Sequence, residues 1–300
     1  MYSGVSNTIL PCFDIHLSPD SAYNLAWKLA YVLKGTAFPS LLDTFNKERQ
    51  PVARHVVKTA NEAFTAHFKL YAAAGLFEPD TERRIQTIQS IKNDSPESAK
   101  RRALIKEALE EMEQERGPLG TEMNVTYDLA DAAVYLSDEK SGKPTFDTDA
   151  GLHYHESTYP GFRLPHAWLG TNITAQMIST QDLAGKGRFT LFTGIGGTAA
   201  WSSACSEAGK QIPGLQIACF GIGWGLEHTD ILEMWSRKRG VQENGAVLVR
   251  PDRYVAWRCE SVAVAGEDVG QKLVGVFRHV LGFSQQVNGH AAGAANGHRT

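Results

Sequence analysis

The sharpest local pattern with a chemical meaning is G-I-G-G-T-A at residues 194–199, which fits the G-x-G-x-x-A signature of dinucleotide-binding turns. In such a turn, small residues let the backbone approach a pyrophosphate at a helix N-terminus. The next strand candidate, residues 215–220, runs into G-I-G-W-G and has no acidic residue placed to hold a ribose hydroxyl. We therefore interpret residues 194–199 as a tight structural turn, with nucleotide binding as the alternative.

A second candidate is the pair His153 and His155, which flank Tyr154 and precede Glu156. On a strand, alternation would place both imidazoles on one face, where they could ligate a metal ion. The spacing indicates no third ligand, since His166 is near only in sequence. A surface edge is the favoured interpretation, and we expect no metal site.

The four cysteines, Cys12, Cys205, Cys219 and Cys259, form no C-x-x-C pair. They are too scattered for a disulfide framework or a zinc cluster, so free buried thiols in a reducing compartment are expected. Hydrolase chemistry has no support either, because neither a G-x-S-x-G elbow nor a Ser/His/Asp order occurs. No catalytic residue is therefore indicated by motif alone.

Composition is that of an ordinary globular protein. Of the 300 residues, 42% are hydrophobic and 21% charged, and the formal net charge is -3. This balance gives no reason to expect nucleic acid or an anionic membrane as partner. Residues 1–20 lack the cationic start and apolar run of a signal peptide, and the uncharged run 189–206 is broken by glycines. A cytoplasmic protein is expected.

Helical periodicity dominates the first half of the chain. Apolar residues recur at helical spacing over residues 22–33, with Asp20 or Ser21 as N-cap. Further helix starts are predicted at three prolines: Pro39, Pro51 and Pro96, the last preceded by a capping Ser95. We assign residues 21–140 to this helical part. Residues 1–20 show neither a helical nor a strand period and are predicted to be irregular.

The second half predicts a small α/β domain over residues 141–283, after a linker between residues 137 and 159. Its predicted elements are a strand at 188–193, a helix around 201–208, a strand at 215–220, and a hairpin of 246–250 with 254–258. Residues 284–300 contain no core-forming pattern and are expected to be a disordered tail.

Several collinear segments closely resemble the flavin-dependent aromatic-ring monooxygenases, in particular the phenol hydroxylases and chlorophenol monooxygenases. The segments are Y-N-L-A-W-K-L-A (23–30), L-L-D-T-F (41–45), E-R-Q-P-V-A (48–53), P-G-F-R-L-P-H-A-W-L (160–169), G-R-F-T-L (187–191), L-V-R-P-D (248–252) and V-A-W-R (255–258). The resemblance covers nearly all of residues 22–281.

The resemblance implies an α/β protein, α+β overall: a helical C-terminal part of a flavoprotein hydroxylase domain, followed by a thioredoxin-like domain. It implies FAD as cofactor, NAD(P)H as reductant, a phenolic substrate and a homodimer. A working thioredoxin needs a C-x-x-C after its first core strand. The corresponding turn, residues 194–199, has no cysteine, so dithiol chemistry at this turn is excluded.

In the family, a Rossmann-type G-x-G-x-x-G unit that holds FAD opens the chain, and a D-G motif and a G-D motif follow. This sequence resembles the family only from just after the G-D motif, so we expect a chain without the Rossmann half. Within S-N-T at residues 6–8, Asn7 is the candidate flavin contact, with Val5 where the family has glycine. No catalytic residue is carried over.

Residues 9–19 form an apparent insertion relative to the family, and Ser21 stands where the family has aspartate. We interpret residues 1–20 as foreign to the native fold, as a misplaced gene start or a retained intron would produce. The alternative is a family-specific loop that covers the apolar stripe of residues 22–33. Two functions of different class follow: an FAD-dependent phenol-type monooxygenase, or a catalytically inactive truncated homologue that dimerises or binds a partner.

Overall fold

A computed structural model describes residues 11–113, 119–128, 130–140, 142–171, 176–266 and 268–283. Its elements, in chain order, are α1 (Pro11–Leu33), a 3-10 helix (Pro39–Leu42), α2 (Asp43–Ala74), α3 (Thr81–Ser90), α4 (Pro96–Glu111), α5 (Leu119–Met123), β1 (Trp168–Leu169), β2 (Ile178–Ser179), α6 (Thr180–Leu183), β3 (Phe189–Thr193), α7 (Thr198–Gln211), β4 (Ile217–Gly221), α8 (Met234–Lys238), β5 (Ala246–Val249), β6 (Val255–Cys259), α9 (Val262–Ala265) and α10 (Val269–Val280). None of the helices described is long and apolar enough to cross a membrane.

The chain divides into two compact units. Within the described residues, unit 1 lies in Met1–Ser18, Pro51–Met123 and Thr148–Tyr154; unit 2 lies in Pro19–Gln50, Asn124–Asp147 and His155–Thr300. This division differs from the expected one, with a boundary near residue 140. Two stretches of the expected helical part belong with the C-terminal sheet, because long-range contacts that periodicity does not reveal hold them there.

Unit 2 is built on a four-stranded sheet of order β4-β3-β5-β6. The pair β3–β4 is parallel, and α7 connects the two strands; β3–β5 and β5–β6 are antiparallel. A β-α-β unit followed by a hairpin is the expected thioredoxin-like arrangement; the helix α10 that follows the hairpin was not predicted. The predicted strands, intervening helix and hairpin are confirmed within a few residues, because each is signalled by local pattern and turn residues.

Both faces of this sheet are covered. On one face Phe189 and Leu191 pack with Trp201 of α7 and Phe277 of α10, all fully buried. Trp27 of α1 lies edge-on to Phe189, with ring centroids 5.8 Å apart. The other face holds a second cluster that includes Phe192, Val247 and Trp235. A strand covered on both faces must be apolar at successive positions, and β3 is buried along its whole length.

Two helix predictions are wrong. The first helix begins at Pro11 rather than Asp20, so residues 11–20 are helical instead of irregular. Pro51 does not start a helix but lies inside α2. A proline removes one backbone hydrogen bond yet keeps a helical φ, so Pro19 and Pro51 are tolerated where neighbouring turns hold the helix. The Ser95 cap is confirmed, since its hydroxyl accepts the Ser98 N–H. The predicted tail, residues 284–300, lies outside the described residues.

Unit 1 is helical, formed by α2 from Pro51 onward with α3, α4 and α5. Asp80 caps α3 by accepting the Arg83 N–H at 2.8 Å. Lys69 of α2 pairs with Glu111 of α4 at 2.6 Å. The Lys69–Glu111 pair links α2 to α4, and the buried apolar side chains of these helices in unit 1 are mostly alanines.

Candidate functional site

Three of the collinear motifs meet in a buried cluster of charges in unit 2. We define the charge network as Asn24, Lys28, Glu48, Arg250 and Asp252. Asn24 and Lys28 are one helical turn apart on α1, so both project from the same face. Glu48 comes from α2, and the other two come from the end and the turn of the β5–β6 hairpin. All five residues are buried.

Glu48 is the centre of the network. Its carboxylate accepts Lys28 Nζ at 2.7 Å and two Arg250 nitrogens at 2.8 Å each. The Asn24 amide donates to it at 2.7 Å, and the backbone N–H of Ala133 donates at 2.8 Å. The side chains of Lys28, Glu48 and Arg250 are 0% exposed. A carboxylate with this many donors is fully compensated for its loss of water.

Asp252 provides the second negative charge. It accepts Arg250 Nε at 2.9 Å and Nη2 at 2.6 Å, a bidentate pair that holds the guanidinium plane. The Trp27 indole N–H and the Asn24 amide also donate to it, each at 3.0 Å. Two cations and two anions therefore balance inside the core.

Burial and pairing act against each other on the pKa values. Burial would raise the pKa of Glu48, but Arg250 and Lys28 hold it down at about 2. Burial lowers the pKa of Lys28 to about 8, although Glu48 favours its charged form. The carboxylates of Asp252 and Glu48 raise the pKa of Arg250 against the opposite effect of burial. Glu48 is thus ionised throughout the neutral range.

Aromatic rings enclose the guanidinium. Arg250 Cζ lies 5.2 Å from the ring centroids of both Trp27 and Tyr127. The Tyr127 hydroxyl accepts Arg49 Nη1 at 2.6 Å. Burial raises the pKa of Tyr127 to about 12. The tyrosine therefore stays neutral at physiological pH.

This geometry positions elements and leaves no room for a substrate. The charged side chains of the network are enclosed and bonded to one another, so no reacting molecule reaches Lys28 or Glu48. The network joins α1, the start of α2, the backbone at Ala133 and the β5–β6 hairpin. Its chemical role is to fix the orientation of α1, and it has no catalytic geometry.

The opposite face of α1 is exposed and apolar. Leu25, Leu29 and Leu33 follow one another at intervals of one helical turn and are 36%, 41% and 77% exposed. We call these three residues the leucine stripe. An uncovered apolar row on a helix is a signature of an interaction surface.

Two glycines of the glycine-rich turn are packed against residues 243 and 244 of the same chain. A Cβ on Gly194 would overlap the Glu243 carbonyl oxygen, and one on Gly197 would lie 2.7 Å from the Asn244 carbonyl oxygen. The Trp201 indole N–H donates to that Asn244 oxygen at 3.0 Å. Backbone atoms of the same chain therefore pack tightly against Gly194 and Gly197, which supports the interpretation of residues 194–199 as a structural turn.

Gly197→Ala is accordingly expected to lower the free energy of unfolding by about 1–3 kcal/mol, because the added methyl overlaps the Thr193 hydroxyl. Gly209→Ala, inside the helix α7 that Gly197 precedes, meets no atom closer than 4.0 Å and is expected to stabilise the protein by about 0.5–1 kcal/mol. Urea unfolding of the two variants checks this. Equal effects would show that the turn is not tightly filled.

The other predicted site residues are not brought together. Asn7, the candidate flavin contact, lies outside the described residues. His153 and His155 are not on a strand, contrary to the geometry considered for a metal pair, and they belong to different units. The His155 ring stacks on Phe146 with centroids 4.2 Å apart. Across the described part of the chain, no group of three or more possible metal ligands occurs.

Sequence reasoning missed the charge network as a site. A usable signal was present: Asn24 and Lys28 stand between apolar residues of an amphipathic helix, and Arg250 closes a strand that is otherwise wholly apolar. Charged residues at core positions must find partners. The sequence alone does not identify those partners, since Asn24 and Asp252 are 228 residues apart.

Two family models match the chain. Residues 157–283 match "Aromatic-ring hydroxylase, C-terminal", and residues 17–60 match "FAD binding domain". The second match contains α1 and Glu48, and the first contains the sheet and Arg250. The charge network therefore joins the two matched regions.

The curated proteins to which this chain is similar are in line with the two family models. Phenol 2-monooxygenase of Pseudomonas sp. (strain EST1001) is 39% identical over 83% of this chain and 40% of its own length. The 2,4-dichlorophenol 6-monooxygenase of Delftia acidovorans is 38% identical over 80% of this chain and 40% of its own length. The chain thus spans about two fifths of the length of these relatives.

Solved structures give the same result. The flavin-dependent monooxygenase PieE, in complex with FAD and substrate, is 34% identical with a TM-score of 0.80, covering 88% of this chain and 44% of that one. Aklavinone-11 hydroxylase in complex with FAD and aklavinone is 28% identical with a TM-score of 0.59. The match covers 88% of this chain and 39% of the hydroxylase chain. The chain therefore belongs to the flavin-dependent aromatic-ring monooxygenases and corresponds to their C-terminal portion.

Proposed function

We propose that this chain is the C-terminal portion of an FAD-dependent phenol-type monooxygenase and supports hydroxylation without performing it. FAD, reduced by NAD(P)H, would supply the activation of O₂ in the complete enzyme. The one glycine-rich β-α-β turn among the described residues packs against residues 243 and 244 at Gly194 and Gly197, so we do not assign it to the flavin pyrophosphate. The residues of this chain would hold and orient a flavin-binding portion.

The leucine stripe carries this proposal. The charge network anchors α1 by its polar face, so the opposite face must point outward. The occupant to which we commit is a flavin-binding portion like the one that makes up the larger part of the relatives. Support comes from the match of this helix to an FAD-binding domain model and from the two fifths of the relatives that the chain spans.

The first test is the flavin content of the purified chain. We expect gel-filtered protein to show no flavin absorbance, because the proposal places the pyrophosphate site in the flavin-binding portion that the leucine stripe would contact. Near-stoichiometric FAD after gel filtration would contradict the proposal that the chain depends on another portion for its cofactor.

The second test is complementation. The chain is mixed with the portion of the Pseudomonas phenol 2-monooxygenase that precedes its match, together with FAD, NADPH and phenol. We expect phenol-dependent NADPH oxidation with formation of a hydroxylated product. Leu29→Glu should abolish it, since a carboxylate in the stripe cannot be desolvated in an apolar interface. Gln50→Glu, an exposed substitution of equal charge change in the same unit, should leave it intact.

The alternative function is a non-catalytic module that forms a homodimer or binds another partner. The same exposed stripe favours it, because a second copy could cover the apolar row. It would be supported if complementation failed while analytical ultracentrifugation showed a dimer that Leu29→Glu dissociates. Complementation without such a dimer would exclude it.

A further inference from the structure

Two cysteines of unit 2 face each other across helix α7 and strand β4. Cys205 projects from α7 and is buried, whereas Cys219 lies in the middle of β4 and is half-buried. Strand β4 is at the edge of the four-stranded sheet, which explains the partial exposure of its residues. The position makes Cys219 the more accessible thiol of the two.

The two cysteines are neighbours in the packing of α7 on the sheet. Cys219 packs against the buried cluster that contains Cys205, and the two thiols are near enough to interact. Ser202, one turn earlier on α7 and exposed, donates its hydroxyl to Cys219 Sγ at 3.5 Å. Ser202 and Cys205 lie on one helix face because residues three apart are neighbours there. Cys219 is thus the acceptor of a small, ordered cluster.

These contacts favour the thiolate of Cys219. The hydrogen bond from Cys205 and that from Ser202 lower the pKa of Cys219 to about 7, although burial and the nearby Glu227 act in the opposite direction. The hydrogen bond to Cys219 and burial both raise the pKa of Cys205. One thiol of the pair is therefore prepared as a nucleophile and the other as a proton-bearing partner.

We propose that Cys219 and Cys205 form a peroxide-reactive site, in which hydrogen peroxide oxidises Cys219 and Cys205 then closes a disulfide. The Cys219 thiolate attacks one peroxide oxygen; an S–O bond forms, the O–O bond breaks, and the departing hydroxide takes a proton to become water. The Cys205 sulfur then attacks the sulfenic sulfur of Cys219; an S–S bond forms, the S–O bond breaks, and the hydroxide leaves with the Cys205 proton as water. Two thiols lose two electrons, and one peroxide becomes two waters.

A disulfide between Cys205 and Cys219 requires the two sulfurs to move together. Disulfide closure brings the two sulfurs to about 2.05 Å and needs Cβ atoms that point towards each other, which the packing of Cys219 against the cluster that contains Cys205 favours. The resulting bond would tie α7 to β4 inside unit 2. It lies away from the turn at residues 194–199, where a thioredoxin would place its dithiol.

Cys259 is an internal control. It is buried, its thiol donates to the Ser261 carbonyl oxygen at 3.3 Å, and burial raises its pKa. A thiol of this kind is mostly protonated at neutral pH and hidden from solvent, so it should react slowly.

The test treats the purified full chain with hydrogen peroxide at neutral pH, blocks the remaining thiols, and maps tryptic peptides by mass spectrometry. Cleavage after Arg188, Lys210 and Arg237 places Cys205 in peptide 189–210 and Cys219 in peptide 211–237. We expect these two peptides to become disulfide-linked, with Cys219 consumed about tenfold faster than Cys259. In Cys205→Ser, dimedone should trap a sulfenic acid on Cys219 instead.

Matched variants separate reactivity from misfolding. In Cys219→Ser, Cys205 should stay unreacted while circular dichroism remains that of the wild type. Cys259→Ser should leave the disulfide unchanged. The proposal is overturned if the linked peptides do not form in folded wild type, or if Cys219 and Cys259 react at the same rate.

Discussion

Glu48→Leu is expected to lower the free energy of unfolding of unit 2 by about 3–5 kcal/mol. The substitution removes the carboxylate that pairs with Lys28 and Arg250, whose side chains are both 0% exposed. Asp252 is then the one anion of the network left to balance two buried cations. Urea unfolding followed by tryptophan fluorescence measures the loss, because Trp27 lies against the network.

A double variant distinguishes charge pairing from loss of shape. Lys28→Met combined with Glu48→Leu removes one cation and one anion, and leaves Arg250 paired with Asp252. We expect it to recover a large part of the loss, with a coupling energy of about 1–3 kcal/mol between the two positions. Asp131→Leu, at an exposed pair with Lys47, should cost about 0.5 kcal/mol or less. Additive effects of Lys28→Met and Glu48→Leu would refute the network as the cause.

Acid is expected to remove a stabilisation of about 3 kcal/mol that Glu48 contributes at neutral pH. The pKa of Glu48 is about 2 in the folded protein and about 4.5 ordinarily, so the unfolded chain binds more protons in the interval between these values. The stabilisation is complete above about pH 4.5 and is lost as the pH falls towards 2.

Glu48→Gln serves as the comparison. Its free energy of unfolding should be lower than that of the wild type at neutral pH. The decrease of this free energy between about pH 5 and pH 2 should be smaller than in the wild type by about the same 3 kcal/mol. Urea titrations at a series of pH values measure how the free energy of unfolding changes with pH in the wild type and in Glu48→Gln. Identical slopes would mean that Glu48 is not held ionised by Arg250 and Lys28. The pKa of Lys28, lowered to about 8, affects a separate alkaline range.

Local sequence was sufficient for several elements. Ser95 followed by Pro96 predicts the start of α4, because an N-cap hydroxyl and a proline act within one turn. The β5–β6 hairpin follows from two apolar runs separated by a turn. The beginning of α1 and the continuity of α2 through Pro51 were wrongly predicted, since a proline tolerated within a helix looks like a boundary when its neighbours are unknown.

By itself, the sequence determined the family, the order of strand, helix, strand and hairpin in the four-stranded sheet of unit 2, and the interpretation of residues 194–199 as a turn. These depend on short-range pattern or on motifs whose order along the chain is already specific. Tertiary structure alone decided that Asn24, Lys28, Glu48, Arg250 and Asp252 form one network, and that Cys219 packs against the cluster that contains Cys205. Charge pairing and thiol reactivity depend on distance and burial, and those are set by how distant segments fold together.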